Sequence, residues 1–536
     1  MPSALFRTKT PERLVAEAQA PDRSLRRTLG PLDLLALGVG ATLGAGIFAL
    51  TGTAAAGHQT AASSFLDTPI LGLVFGQVAN GRPAAGPAIV VSFVVVAMVC
   101  GFAGLCYAEL AAMIPVAGSA YTYAYATLGE LFGWIIGWDL ILEYAVGNIA
   151  VASSWSGYFV KLVYGLFRIK LPLWLVVDPR TARESLRQGA TDPAFLAPYS
   201  TSELPIVFGH ALSMNVPALL IVAALTWLLV RGIRESAAFN TIAVVVKVSV
   251  VLFFVAFGAF YVHPGNWRPF APNGVPGILS GAAIVFFAFI GFDAVSTAAE
   301  ESRHPQRDVP IGILGSLAVC GVLYVAVATV LTGMTRYTRF VDDSAAIATA
   351  VEVTGKPWVL AVISLGALAG MTSVLLVFQL GQPRIFMSMA RDGLLPSWFA
   401  KVHPTFRTPY VTTIVTGVAV GVPSAFTDIG WAADLTNIGT FFAFVLVCGG
   451  VLVLRSVAPD RPRPFRCPLV PILPISGIGL CFLLMLSLPL VTWIRFFGWL
   501  AIGLLVYFFY GRQHSCLAGS APQAASGGPR GTARGV

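Results

Sequence analysis

The chain has 536 residues, 56% hydrophobic and 11% charged, with 34 Lys and Arg against 25 Asp and Glu for a formal net charge of +9. Soluble domains carry about 25% charged residues, so this composition excludes an ordinary soluble fold and identifies an integral membrane protein. Its apolar runs are continuous rather than alternating ten-residue segments, so the spans are helices and not barrel strands, and the positive charge belongs to loops rather than to a nucleic-acid-binding face.

Residues 1–30 are polar and carry Arg7, Lys9, Arg13, Arg23, Arg26 and Arg27. They lack the short apolar stretch of a signal peptide and read as a cytoplasmic N-terminal tail. Apolar segments follow at about 31–57, 87–112, 131–160, 213–231, 236–262, 277–300, 309–334, 357–387, 409–426, 431–455, 468–489 and 492–511. The fold class expected is therefore all-α, an integral membrane protein with twelve transmembrane helices. The connections 113–130 and 388–408 are amphipathic enough for short helices, and the small-residue stretch 516–536 reads as a disordered C-terminal tail. With the N-terminus inside, most of the 34 Lys and Arg residues face the cytoplasm, which the positive-inside rule favours. Both termini are then cytoplasmic, on a multi-pass protein of the cell membrane.

The first segment, about 31–57, holds Gly38, Gly40, Gly44 and Gly46 at its centre. Glycine costs a helix ~1 kcal/mol relative to alanine at each position. Two readings compete here: close helix packing through Gly40 and Gly44, or a broken helix whose bare N–H and C=O groups line a cavity at membrane depth. The sixth segment echoes it, because Gly291 and Asp293 interrupt Phe286-Phe287-Ala288-Phe289-Ile290-Gly291-Phe292-Asp293. Paired interruptions five segments apart predict two five-helix halves, 31–262 and 277–455, the second inverted in the membrane, with 468–511 adding helices 11 and 12. Such paired breaks are the sequence pointer to a transporter's midplane site.

Lys247 lies in mid-segment, where a cation costs ~2.5–3.5 kcal/mol. It reads either as a proton-linked group or as a static tether for carbonyls of a broken helix. Glu143 is the other clear intramembrane charge, with a proton-coupling role or an interhelical hydrogen bond as its readings. Asp293 is expected to cap the unwound stretch beside it. Glu109, near the cytoplasmic end of the second segment, reads as structural, and Glu300 and Glu301 with Arg303 and Arg307 read as a cytoplasmic gate or loop anchor. The seven cysteines form no CxxC pair and the six histidines never stand at ligand spacing, so no metal, cofactor or disulfide framework is expected.

The Gly44-Ala45-Gly46-Ile47-Phe48 core, Tyr107-Ala108-Glu109-Leu110 continuing to Pro115-Val116-Ala117-Gly118-Ser119-Ala120-Tyr121, and the sixth-segment Gly291-Phe292-Asp293 resemble the amino acid–polyamine–organocation superfamily. So do Glu300 through Pro310 and Met389-Ala390-Arg391-Asp392-Gly393-Leu394-Leu395-Pro396. With Leu142-Glu143-Tyr144 and Lys247, the pattern is most similar to bacterial members of the cationic amino acid transporter subfamily. It departs from that pattern at His304, where Asn is usual, and at Pro383 in the eighth segment. The resemblance implies a five-plus-five inverted repeat with discontinuous helices 1 and 6 and alternating access. It also implies that N–H groups around Gly44, Ala45 and Gly46 hold the substrate carboxylate, with carbonyls of Phe287, Ala288 and Ile290 holding its ammonium. Thr42, Ile47 and Phe292 complete that expected site, with Thr372, Ser373 and Leu375 facing it. Lys247 matches the fifth-segment lysine of proton-linked relatives, which implies proton symport without sodium.

The function expected is thus proton-coupled uptake of amino acids, neutral such as alanine or cationic. An exchanger without proton coupling is the nearer alternative. A membrane-embedded enzyme lacks a visible nucleophile–base pair, and a sensor lacks an output domain. The expected partners are the amino acid, protons and the lipid bilayer, with no nucleic acid; an accessory membrane subunit or lipid ligand stays open.

Overall fold

The computed structural model describes residues 7–9, 14, 27–59, 64–76, 81–116, 119–187, 204–207, 210–232, 237–341, 343–406 and 408–516. Most of the 1–30 tail, residues 188–203 and 208–209, Ala117 and Gly118, Arg234, Arg407 and residues 517–536 lie outside the described residues.

The first span forms because Gly30 offers its N–H to Asp33 Oδ2 at 2.9 Å and Pro31 fixes the first turn of α1, Pro31–Thr42. The helix then stops. Leu43 leaves helical geometry at φ −80°, ψ 91°, and the chain resumes as a π-helical turn, Gly46–Leu50, running into α2, Thr51–Ala56. The two halves are bent by 46°. Beyond Gly57, whose φ of +69° ends α2, His58–Gln59 (β1) pairs antiparallel with Gly81–Arg82 (β2); this short ribbon and a second pairing at 206–207 and 210–211 are the departures from an all-helical chain.

Helices α3, Ile89–Met113, α4, Ser119–Thr127, and α5, Glu130–Phe167, follow. α5 runs further than the expected 131–160. Lys161, one residue beyond that expected segment, is consequently a buried residue of this helix, donating to Thr349 Oγ1 at 2.6 Å and Glu352 Oε1 at 3.0 Å. A short helix α6, Pro179–Arg187, precedes α7, Val216–Arg231, and α8, Ala237–Gly258.

The sixth segment is also broken. α9, Gly274–Val285, tightens into a 3-10 turn, Phe286–Phe289; Ile290 is extended at ψ 133°, Gly291 takes φ +116°, and only then does α10, Ala294–Thr297, begin. The remaining helices are α11, Pro305–Met334, α12, Ala346–Glu352, α13, Pro357–Arg391, α14, Tyr410–Ser424, α15, Ile429–Val457, α16, Ile472–Leu486, and α17, Leu490–Val506. α13 contains Pro383 without ending there. The 388–408 connection holds one 3-10 turn, Ser397–Ala400.

Among the described residues, eight helices are long and apolar enough to cross a membrane, or nine with the bent α1–α2 pair. α7, α14 and α16 are shorter apolar helices. α5 packs along α13 and α15, while α11 lies against α3 and α1, so both broken spans are walled in by continuous helices. Their outer faces stay apolar, with Ile242, Val245, Val418 and Ile475 among the exposed side chains, as a hydrocarbon solvent requires.

Candidate functional site

The two breaks meet. A Cβ on Gly46 would run into the backbone of Ala288, and one on Gly291 would stand 2.9 Å from the Ala41 carbonyl carbon. Only glycine permits this approach, and at Gly291 the positive φ adds a second reason. Gly44 faces Val374 of α13, with a Cβ there reaching 3.0 Å from its side chain. The sequence-predicted residues Thr42, Gly44, Ala45, Gly46, Ile47, Phe287, Ala288, Ile290 and Phe292 are all buried along this seam.

Four polar side chains fasten the seam. Lys247 on α8 is 1% exposed and donates from Nζ to the Gly40 carbonyl at 2.7 Å, its stem lying along Gly370 of α13. Tyr324 on α11 places its hydroxyl 3.0 Å from the Thr42 carbonyl and 2.8 Å from the Ala288 carbonyl, so one phenol ties the end of α1 to the sixth-segment break. Asn437 on α15 donates to the Ala283 and Ile284 carbonyls at 2.7 and 3.1 Å, satisfying acceptors where α9 gives way to the 3-10 turn. Beyond the break, Tyr158 of α5 donates to the Phe48 carbonyl at 2.7 Å. Helix breaks at membrane depth leave backbone groups without intrahelical partners, and these side chains supply several of them.

The remaining predicted residues divide. Phe292 stacks edge-on against Tyr107 at 5.7 Å and tilts over Phe444 at 5.3 Å, forming an aromatic wall beside the break. On α13, Thr372 accepts from Trp155 Nε1 at 3.0 Å while donating to the Leu368 carbonyl, and Leu375 is buried. Glu143 is buried on α5 beside Thr440, within electrostatic reach of Asp293 and Asp139. Asp293 stands at the N-terminus of α10, its carboxylate against the Gly291 and Ala294 amides, and it also accepts from Ser119 at 3.1 Å, joining the sixth segment to α4. Glu109 receives Arg455 in a two-pronged pair at 2.9 and 2.7 Å, with Arg463 Nε at 3.2 Å and the Cys467 amide at 2.8 Å, which pins α3 to α15. Arg303 donates to the Thr28 carbonyl at 3.0 Å, beside a backbone bridge between Leu29 and Ser302. Glu109, Arg303 and Arg307 are therefore brought to none of the seam contacts.

Sequence reasoning passed over Tyr324, Tyr158 and Asn437. Their signal is a hydroxyl or amide inside an apolar run, which must find a partner in hydrocarbon; nothing in spacing says which partner.

A family model described as amino acid permease matches residues 29–516. The chain is 44% identical over 517 residues to the branched-chain amino acid permease BcaP of Bacillus subtilis (strain 168), covering 96% of this chain and 100% of that one. It is 41% identical over 516 residues to a methylthioribose transporter of the same strain, covering 96% and 99%. To the chloroplastic cationic amino acid transporter 9 of Arabidopsis thaliana it is 36% identical over 435 residues, 81% of this chain and 67% of that one.

Proposed function

The chain belongs to the amino acid permease family, and on that premise we propose that it imports neutral, apolar amino acids with protons by alternating access. The observation that carries this reading is the meeting of two broken spans at Gly46 and Ala288, with Lys247 bonded to the Gly40 carbonyl beside them. A zwitterion needs donors and acceptors a few ångströms apart, and a pair of opened helices supplies both from backbone alone. In this reading the amides of Gly44, Ala45 and Gly46 take the carboxylate. Carbonyls of Phe287, Ala288 and Ile290 take the ammonium; a carbonyl has two lone pairs, so Ala288 can hold Tyr324 and substrate together. Lys247 and Glu143 carry the coupling proton, and the ammonium of Lys247 stands where sodium-linked carriers hold their ion.

The aromatic wall of Tyr107, Phe292 and Phe444 supports an apolar substrate side chain, as does the likeness to a branched-chain permease. Twelve crossings follow if α7, α14 and α16 span alongside the longer helices, giving two inverted five-helix halves with both termini in the cytoplasm of a multi-pass cell-membrane protein. The second reading is a thioether sugar, favoured by the likeness to a methylthioribose transporter; such a substrate has no zwitterion to occupy the backbone groups.

The test is uptake by proteoliposomes holding the full chain, with labelled leucine, alanine, arginine or methylthioribose, with and without an inward proton gradient. Leucine accumulating about tenfold or more under the gradient, with arginine and methylthioribose left behind, is the expected result. Methylthioribose as the favoured cargo, or leucine uptake indifferent to the gradient, overturns it.

A further inference from the structure

α5 carries a second carboxyl that the site above leaves unused. Asp139 lies one helical turn before Glu143, is 1% exposed, and neither of its oxygens has a hydrogen-bond partner among the described residues. α15 turns Gly439 to it, where a Cβ would stand 2.5 Å from Asp139 Oδ1. Residues four apart share a helix face ~5–6 Å apart, so Asp139 and Glu143 form a step, and Asp293 extends it to the broken sixth segment. The step lies nearer the N-terminal end of α5, which begins at Glu130, nine residues or roughly 14 Å along the axis from Asp139 at 1.5 Å per residue.

The elements packed on this stretch bring it no counter-charge. α15 presents Gly439 and Thr440 there, and its Asp434 and Arg455 are engaged with Arg82 and Glu109. α13 presents Gln382, which donates to the Ile141 carbonyl. α17 presents Trp499 against Trp138, and α4 presents Tyr121, whose hydroxyl donates to Asp392. α7 and α14 hold as titratable side chains only Arg231, stacked on Trp227, and Tyr410, packed on His403.

A buried carboxylate with neither donor nor cation is costly to retain, and an orphaned buried polar group in a native fold calls for a functional account. Resting on the proton-coupled reading above, we propose that Asp139 is the inner proton-carrying residue of the transport cycle, receiving the proton that Glu143 releases. The O–H bond on Glu143 breaks and one on Asp139 forms, leaving Glu143 a carboxylate. When the cytoplasmic side opens, the Asp139 O–H bond breaks in turn and the proton passes to water, so charge balances with no co-reactant but solvent.

The experiment compares wild-type protein, Asp139→Asn, Asp139→Glu and Gly439→Ala in proteoliposomes, reading leucine accumulation under an inward proton gradient and leucine counterflow at equal pH. Asp139→Asn is expected to lower gradient-driven accumulation about tenfold or more while counterflow, which needs no net proton transfer, persists; Asp139→Glu restores accumulation. Gly439→Ala, which crowds Oδ1 but keeps the carboxyl, is expected to separate the two readouts in the same direction. Accumulation by Asp139→Asn at the wild-type level overturns the assignment. So does loss of counterflow in proportion to accumulation in both variants, which makes Asp139 a packing residue. Wild-type accumulation indifferent to the gradient overturns this inference together with the proton-coupled reading, and is distinguishable because no variant is needed to see it.

Discussion

Lys247 shows what one side chain does at membrane depth. Its insertion costs ~2.5–3.5 kcal/mol, offset by one short bond to Gly40 and by its aliphatic stem on Gly370. Removing the ammonium frees the Gly40 carbonyl and the proton site together. Lys247→Met is therefore expected to lose about tenfold or more of gradient-driven leucine accumulation; full accumulation would remove Lys247 from the coupling. Outside the membrane, Asp178 offers a pH test. Burial, and then the nearby charge of Asp428, push its carboxyl up to about 6, against ~3.9 for the unfolded residue. The folded protein binds this proton more tightly than the unfolded chain, so the group favours folding below about pH 4 and that advantage is lost as pH rises through 6. Asp178 Oδ1 accepts from the Arg180 and Thr181 amides at the start of α6, a cap that asparagine can keep. Asp178→Asn is expected to raise the thermal midpoint by roughly 1–3 °C at pH 7.5 and to leave it unchanged at acid pH. A lower midpoint at pH 7.5 would contradict this.

The broken helices decide how much a single substitution costs. Gly46 allows no side chain because Ala288 backbone occupies its place; Gly46→Val is expected to abolish leucine binding by purified protein that still elutes as a monodisperse peak. Tyr324→Phe removes one phenol that touches two carbonyls. At ~1 kcal/mol per hydrogen bond, uptake is expected to fall roughly fivefold, whereas no change would mean the breaks hold without it. The breaks themselves were legible in the sequence: four glycines cannot be explained by helix stability, and Gly291 beside Asp293 repeats the signal five segments on. Lys247 was legible for the same reason, as an expensive residue in an apolar run. What else fastens the breaks was not legible. The partners of Tyr324, Tyr158 and Asn437 are carbonyls tens to hundreds of positions away, which spacing does not reveal. For Asp293, spacing shows the adjacent helix start but not Ser119 arriving from α4. The third segment was expected to end at 160, short of Lys161, because the apolar pattern fades before α5 ends at Phe167.

At the scale of the molecule, ion pairs sit at the rims and backbone polarity at the centre. Glu109 with Arg455 and Arg463 marks one rim, and Arg82 with Asp434, 2.6 Å apart, marks the other. The proposed topology puts Lys356, before α13, outside and Lys401, beyond it, inside. Among the described cysteines only Cys516 is exposed, so in a Cys516→Ser background a membrane-impermeant maleimide is expected to label Lys356→Cys in intact cells and Lys401→Cys only after lysis. The reverse pattern would invert the whole arrangement. Family membership supports amino acid transport, but the site rests on geometry, and one measurement addresses that geometry without intermediaries: a structure of the lipid-reconstituted protein with leucine bound. The expected density places the carboxylate on the amides of Gly44–Gly46 and the ammonium on the carbonyls of Phe287, Ala288 and Ile290. Leucine seated elsewhere, with both breaks making only protein contacts, would contradict the account.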